Sequence, residues 1–459
     1  MPRKRADDTK AETPAELTKI PEGGLRRGLK LGTAFAGALG RAAGRRLVGA
    51  KEDSESAADE LATTLGEMKG LSMKLGQMLS YVDTQMPDGW RKALGRLQHQ
   101  SAAMTRDTVF QVVKEDLGQS PDVLFSAWEE KPSAAASIGQ VHRARLRNGT
   151  DVAVKVRYPA IDRIVRQDLN SVALLRRFGR LLMPELDTEG VIAELRERFL
   201  EECDYRKEAD NQVKFGQFFR DAEGIVVPQV HAGYSSERVL TMDWIEGRRF
   251  GDFAQSASQG ERNQAARSIH HFAFHSIYRL GALNCDPHPG NYLFMPGRVA
   301  FLDFGCVRLF SDELRDAWKT MLRSALERDH DAFGEAVVRV GLADRGGSFD
   351  FDVHYRQYLH LIRPWLTDEA GTLTRDSIAQ SYQAFFVANP NRAHLKMPRE
   401  LVFANRLQWG LYSVLADLGS TCPLRGEMMD ILYAPGETRP LPFSDEELRR
   451  YSLRPERPA

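Results

Sequence analysis

Asp286-Pro287-His288-Pro289-Gly290-Asn291, followed by Leu302-Asp303-Phe304-Gly305, decides how this chain is read. An Asp with an Asn five positions later suits a loop in which the Asp faces an attacking hydroxyl and the Asn turns back to a metal ion. The second Asp, in Asp303-Phe304-Gly305, has the context of a carboxylate that holds Mg²⁺ against nucleotide phosphates. Residues 292–294 and 299–302 are apolar enough to form two short strands that set the loop and the second Asp side by side. A carboxylate, an amide oxygen, water and phosphate make a set of oxygen ligands suited to magnesium. Each motif alone is weak; in this order and at this spacing they point to phosphoryl-transfer chemistry, with ATP and Mg²⁺ as the expected cofactors and Asp286, Asn291 and Asp303 as the expected site.

Working upstream, Asp151-Val152-Ala153-Val154-Lys155-Val156 alternates with period two directly after Asn148-Gly149. That pattern reads as the second strand of a hairpin. Val152-Ala153-Val154-Lys155 matches the V-A-I-K strand of protein kinases, whose Lys reaches the α and β phosphates. Such a Lys needs a carboxylate partner, and the helical stretch 191–219 carries Glu201, Glu202, Asp204 and Glu208. Where a Gly-rich phosphate loop is expected, the chain has Ser133-Ala134-Ala135-Ala136-Ser137-Ile138-Gly139-Gln140-Val141. One glycine stands where three are usual, and alanines remove easy access to positive φ. The segment is read as a nucleotide lid that seats the phosphates differently.

The rest of the 459 residues frames these motifs. Lys+Arg and Asp+Glu are equal at 63 each, which argues against a nucleic-acid-coating protein. Four dispersed cysteines form no C-x-x-C pair, so neither a zinc ribbon nor a disulfide framework is expected. The first residues show no apolar leader, and no uncharged stretch reaches the roughly 18 residues of a membrane span. A cytoplasmic protein, at most peripheral to a membrane, is the expectation. Residues 1–24 read as a charged disordered tail. Residues 25–51 carry seven basic residues and no acid, a segment that suits an anionic membrane surface, with a solvated arm as the plainer reading. Leu61, Leu65, Met68, Leu71, Leu75 and Leu79 recur at helical spacing. An apolar helix is expected over 260–280, mostly helix after 310, and a partly ordered tail over 441–459.

Taken together, Lys74-Leu75-Gly76-Gln77, residues 134–142, Val152 to Lys155, Glu202-Cys203-Asp204-Tyr205, Asp286 to Asn291 and Asp303-Phe304-Gly305 resemble the AarF/UbiB family of atypical, kinase-like proteins. The resemblance covers roughly residues 55–310, and K-x-G-Q and E-x-D are not general kinase motifs. It implies an α+β, two-lobed protein-kinase-like fold: an N-terminal helical extension (25–130) with K-x-G-Q, an N-lobe (131–245), and a mostly helical C-lobe (246–440). It implies that Lys74 reaches toward the nucleotide and Glu202 or Asp204, that Glu208 pairs with Lys155, and that Asp286 is the catalytic Asp with Asn291 and Asp303 as metal ligands. Cofactor-binding positions would be Ala134, Ala135, Ala136, Ser137, Ile138, Gly139, Gln140, Val141, Ala153 and Lys155. The hinge would add Met242 lining the adenine pocket and the backbones of Asp243 and Trp244. Family members are linked to isoprenoid-quinone (ubiquinone) biosynthesis and lipid homeostasis, with ATPase or small-molecule kinase chemistry, so a small-molecule or lipid acceptor is expected. No A-P-E follows Gly305, which speaks against a protein-substrate platform.

Two other readings were weighed. Asp286 to Asn291 resembles the D-x-H-x-x-N loop of aminoglycoside/choline kinase-type phosphotransferases, but K-x-G-Q and the Ala-rich segment oppose it. A nucleotide-binding scaffold with slow turnover is the other. His271 and His275 stand at i, i+4 on a predicted helix, where a partly buried helix face outweighs a metal site because no third ligand is indicated.

Overall fold

A computed structural model describes residues 104–453 apart from 137, 160, 162–201, 370, 372, 393 and 397. Lys74, Ser137, Glu201 and the segments 1–24 and 25–51 therefore lie outside the described residues. In chain order the main elements are α1 (Arg106–Leu117), α2 (Pro121–Leu124), β1 (Phe125–Trp128), β2 (Ala134–Ala136), β3 (Gly139–Leu146), β4 (Asp151–Arg157), α3 (Tyr205–Phe218), β5 (Ile225–Val226) and β6 (Val239–Asp243). There follow α4 (Phe250–Ser256), α5 (Gln259–His275), β7 (Ala282–Asn284), β8 (Tyr292–Met295), β9 (Arg298–Phe301) and β10 (Val307–Leu309). The helices α6 (Asp312–Glu327), α7 (His330–Val340), α8 (Phe351–Leu361), α9 (Arg375–Tyr382), α10 (Arg399–Asp417), α11 (Arg425–Leu432) and α12 (Asp445–Arg450) complete the chain. The mixed helices and sheets are those of an α+β, kinase-like fold.

The described residues fall into two compact units: those up to Arg206 with His231–Asp243 in one, Lys207–Val230 with those from Trp244 onward in the other. The first is built on an antiparallel sheet of order β1-β3-β4-β6, with β2 hydrogen-bonded to β3. Asn148-Gly149 makes the turn between β3 and β4, as its chemistry requires: Gly149 has φ +90° and the Asn148 side chain accepts from Thr150 N. Register pairs Val141 with Lys155 and Gly139 with Arg157, so the side chains of Val141, Lys155 and Arg157 share one face of the sheet, with Gly139 in step with them. Met242 pairs with Ala153 and Leu240 with Lys155, and they join the same face. The opposite face carries Val152, Val154 and Val156, each fully buried, together with Gln140 and His142. Helix α1 lies against β4 and β6 with Val109, Val112 and Val113 buried. Its last turn is tied down by Asp116, which accepts from the Arg238 guanidinium and the Ser236 hydroxyl.

The second unit has one hydrophobic core running from Phe215 to Leu453. A capping box, Ser258 with Glu261, starts α5, and the apolar spacing Ala265, Ala266, Ile269, Phe272, Ala273 buries its inner face. A π turn (Ser276–Leu280) ends it at Gly281, φ +69°, so the expected 260–280 helix is present. Strands β8 and β9 form the hairpin foreseen between the two Asp motifs, pairing Tyr292 with Phe301. The stretch 441–459, read as a tail, is packed through Leu453. Phe443, Leu448 and Leu453 are buried, and a capping box of Ser444 with Glu447 starts α12. The prolines and charges that suggested a partly ordered tail lie around these three apolar anchors in the sequence.

Candidate active site

The loop that carries Asp286 to Asn291 leaves β7 at Asn284 and enters β8 at Tyr292. Within it, His288 N donates to Asp286 O at 2.8 Å, and His288 Nδ1 accepts from Gly290 N at 3.0 Å, so His288 shapes the turn. The Asn291 amide donates through Nδ2 to both Asp286 O and Asp286 Oδ2, each at 3.1 Å. Both donations run from Nδ2 to Asp286, so the amide oxygen is the Asn291 side-chain atom not used in them. Leu302 N donates to Asn291 O at 3.0 Å, bringing the residue before Asp303 onto the end of the loop. Asp303 Oδ1 accepts from Gly305 N at 2.9 Å.

Sequence reasoning missed Asn284. Its Nδ2 donates to Asp303 O at 2.8 Å and its Oδ1 accepts from Asp286 N at 3.2 Å, so one side chain joins the two motifs. An Asn two positions before the Asp was its only sequence signal. Asn211 on α3 was missed too: its Nδ2 donates to Phe304 O at 3.0 Å. The Phe304 ring is fully buried and packs at 5.2 Å from Phe215. Asn284, Asp286, Asn291 and Asp303 line a cavity with the apolar Ile269, Leu407 and Leu411. Beside it, Gly410 on α10 sits so close to the loop that a Cβ there would stand 2.6 Å from Pro287 Cγ. Cys285 and Cys306 are buried, with Cys285 N donating to Cys306 O, which is a packing role.

In the other unit, Lys155 is buried, with Nζ 5.0 Å from the Tyr205 ring centre. A desolvated cation is held over an aromatic face in this way. Ala134, Ala135 and Ala136 form β2, paired to Val141, Gln140 and Gly139. The lone glycine has a reason other than φ: a Cβ on Gly139 would meet Val156 O at 2.2 Å and Tyr205 Oη at 2.9 Å. Gln140, counted among the cofactor-binding positions, has its side chain on the sheet face away from Lys155. It is 2% exposed, its Oε1 accepting from Met104 N and its Nε2 lying 2.7 Å from His142 Nε2. Because the Gln140 amide donates, His142 carries its proton on Nδ1 and gives it to Glu129 O. Burial pushes the His142 pKa down, which keeps this ring neutral. Ile138 is buried and Ala153 half-buried. Met242 is buried on the Lys155 face, and Asp243 Oδ1 accepts from His231 Nε2 at 2.8 Å.

Glu208 is buried on α3 and Trp244 donates to Glu246 at 2.9 Å. Of the E-x-D pair, Glu202 is buried and Asp204 accepts from Arg206 N and Nε, both at 3.1 Å. Among the described residues, Asp286, Asn291 and Asp303 are brought together in one unit, and Lys155, Gly139, Val141, Ala153 and Met242 share one sheet face in the other.

A family model described as the ABC1 atypical kinase-like domain matches residues 96–337. Mitochondrial atypical kinase COQ8 of Saccharomyces cerevisiae is 30% identical over 319 residues, 69% of this chain and 64% of that protein. A chloroplastic aarF domain-containing protein kinase of Arabidopsis thaliana is 32% identical over 325 residues, 69% of this chain and 46% of that one. The chain thus spans less than two thirds of each of these relatives. A solved structure of Rv3197 from Mycobacterium tuberculosis, in complex with erythromycin, is 30% identical at a TM-score of 0.63, covering 84% of this chain and 98% of that one. The fold, the motifs and these matches together place the chain in the ABC1, or AarF/UbiB, family of atypical kinase-like proteins.

Proposed function

We propose that this chain binds Mg-ATP and acts as an atypical kinase or ATPase serving isoprenoid-quinone or lipid metabolism. The observation that carries the reading is the Asn284 bridge, which fixes Asp286, Asn291 and Asp303 around one cavity. The donor set fits magnesium: one amide oxygen and carboxylates, with no nitrogen or sulfur ligand in the cluster. Asn291 and Asp303 would hold the ion, which when bound neutralises charge on the phosphates. Asp286 orients the hydroxyl of an acceptor or a water and takes up its proton. Lys155 brings a desolvated positive charge to the phosphates, and Met242 offers an apolar surface to the adenine. Glu208 serves to position Lys155, and Lys74 of K-x-G-Q reaches toward the nucleotide, as the family resemblance implies.

The quinone or lipid acceptor rests on that resemblance. Among the described residues no helix is long and apolar enough to cross a membrane, so contact with a lipid surface is assigned to the basic segment 25–51. The test is steady-state phosphate release from Mg-ATP by the wild type and Asp303→Asn, with and without anionic liposomes and a phenolic quinone-precursor mimic. Turnover in the wild type alone, quickened by lipid or mimic, supports the proposal. ATP binding without release under every condition refutes the ATPase reading and favours a nucleotide-switched scaffold.

A further inference from the structure

The imidazoles of His271 and His275 stack on one face of α5, with ring centres 3.8 Å apart and planes 8° from parallel. The third ligand that the sequence did not reveal comes from α11. Glu427 Oε1 lies 2.8 Å from His271 Nδ1. The ring N–H direction misses this oxygen, so Oε1 is buried with no hydrogen-bond partner among the described residues. One ligand atom from each of His271, His275 and Glu427 lies within 4.8 Å of the others. Tetrahedral zinc, with bonds of about 2.0–2.2 Å, separates its ligand atoms by about 3.3 Å. Side-chain rotations that unstack the two parallel rings bring one nitrogen of each, with Oε1, to a common ion.

The surroundings orient this cluster. Trp365 Nε1 can only donate, and it donates to His270 Nε2 at 2.9 Å. Neutral His270 then carries its proton on Nδ1 and gives it to Glu427 Oε2 at 2.8 Å. This pins the carboxylate and turns Oε1 toward the two stacked rings, as the partner of a metal-binding carboxylate does.

We propose that His271, His275 and Glu427 form a second metal site, separate from the catalytic loop, that takes a divalent transition ion such as Zn²⁺. Two imidazoles and one carboxylate leave a position for water, and the bound ion clips α11 to α5. Magnesium, which prefers oxygen ligands, is disfavoured by the two nitrogens.

The test is calorimetric titration of ZnCl₂ into the chelator-stripped full chain in excess Mg²⁺, with Co²⁺ absorption as a second readout of nitrogen ligation. One Zn²⁺ per chain is expected. Loss of a second-shell partner costs about 10- to 100-fold in metal affinity, so loss of a ligand is expected to cost at least the upper figure in His275→Gln and Glu427→Gln. Glu427→Gln keeps an oxygen for the His270 N–H, and an unchanged melting temperature without metal shows that it is folded. The wild type should also melt higher with Zn²⁺ than without, and neither variant should. Binding equal in wild type and both folded variants, or no stoichiometric binding in the wild type, overturns the proposal.

Discussion

Replacing Gly139 by alanine tests the account of the Ala-rich segment. Gly139 does not adopt a positive φ, so alanine is allowed by the backbone there. The obstacle is space. The new methyl would stand 2.2 Å from Val156 O, an atom that belongs to a neighbouring strand and cannot rotate away. Ordinary contact requires about 1 Å more, and the paired strands β3 and β4 must separate locally to provide it. Overpacking of this kind costs about 1–3 kcal/mol, and a backbone obstacle puts this site toward the upper end. At roughly 2–4 °C per kcal/mol, melting should fall by roughly 4–12 °C. Because Val141 and Lys155 are register partners two residues along the same strands, ATP should also stabilise the variant less than the wild type. Differential scanning fluorimetry with and without Mg-ATP reads both effects. Gly251→Ala is the control: it lies in α4 with nothing within 4 Å, and should be neutral or stabilising by up to about 1 kcal/mol. A Gly139→Ala protein that melts with the wild type and responds equally to ATP refutes the reasoning.

Three more expectations follow from the site and the core. Asp286→Asn should lower phosphate release by about 10²–10⁴-fold while ATP still raises the melting temperature, since a proton acceptor is removed and the phosphate ligands are not. Asn284→Ala should lower turnover by about 10- to 100-fold with KM for ATP little changed, because it unlinks Asp286 from Asp303 without touching a nucleotide contact; unchanged turnover sinks the bridging role. Hydrogen bonds from Arg328 hold the Glu447 carboxyl at about 2. A depressed carboxyl stabilises the fold above its ordinary pKa near 4.5, and that contribution fades as pH falls toward 2. Solvent screening leaves it worth roughly 0.5–1 kcal/mol. Glu447→Gln should therefore melt lower at pH 7, with the gap closing by pH 2; a gap independent of pH counts against the ion pair.

The loop from Asp286 to Asn291 was legible because its constraint is local: six consecutive residues close one turn, and the turn dictates their types. The hairpin was legible for the same reason, with Asn148-Gly149 between alternating runs. The face taken by Gln140 was not, because alternation says which residues share a face and not which face meets a ligand; Met104 decides that from outside the strand. Asn284 escaped notice because an isolated Asn has no pattern, and its partner Asp303 is brought to it by the pairing of β7 with β10. Glu427 lies more than 150 positions from His271, beyond the reach of any spacing rule. In the last 20 or so residues, composition outweighed three well-separated apolar anchors.

The packing of Gly410 against Pro287 bears on how this domain can be inherited and recombined. The recognisable family segment ends at residue 337, yet position 410 already limits the shape of the Asp286–Asn291 loop. A proline ring yields little, so any side chain at 410 must displace the loop or the helix that carries it. A graft that exchanges only the segment up to 337 between relatives would transplant the loop without the notch that accommodates it. The smallest exchangeable piece of this chain is therefore larger than the piece by which its ancestry is recognised.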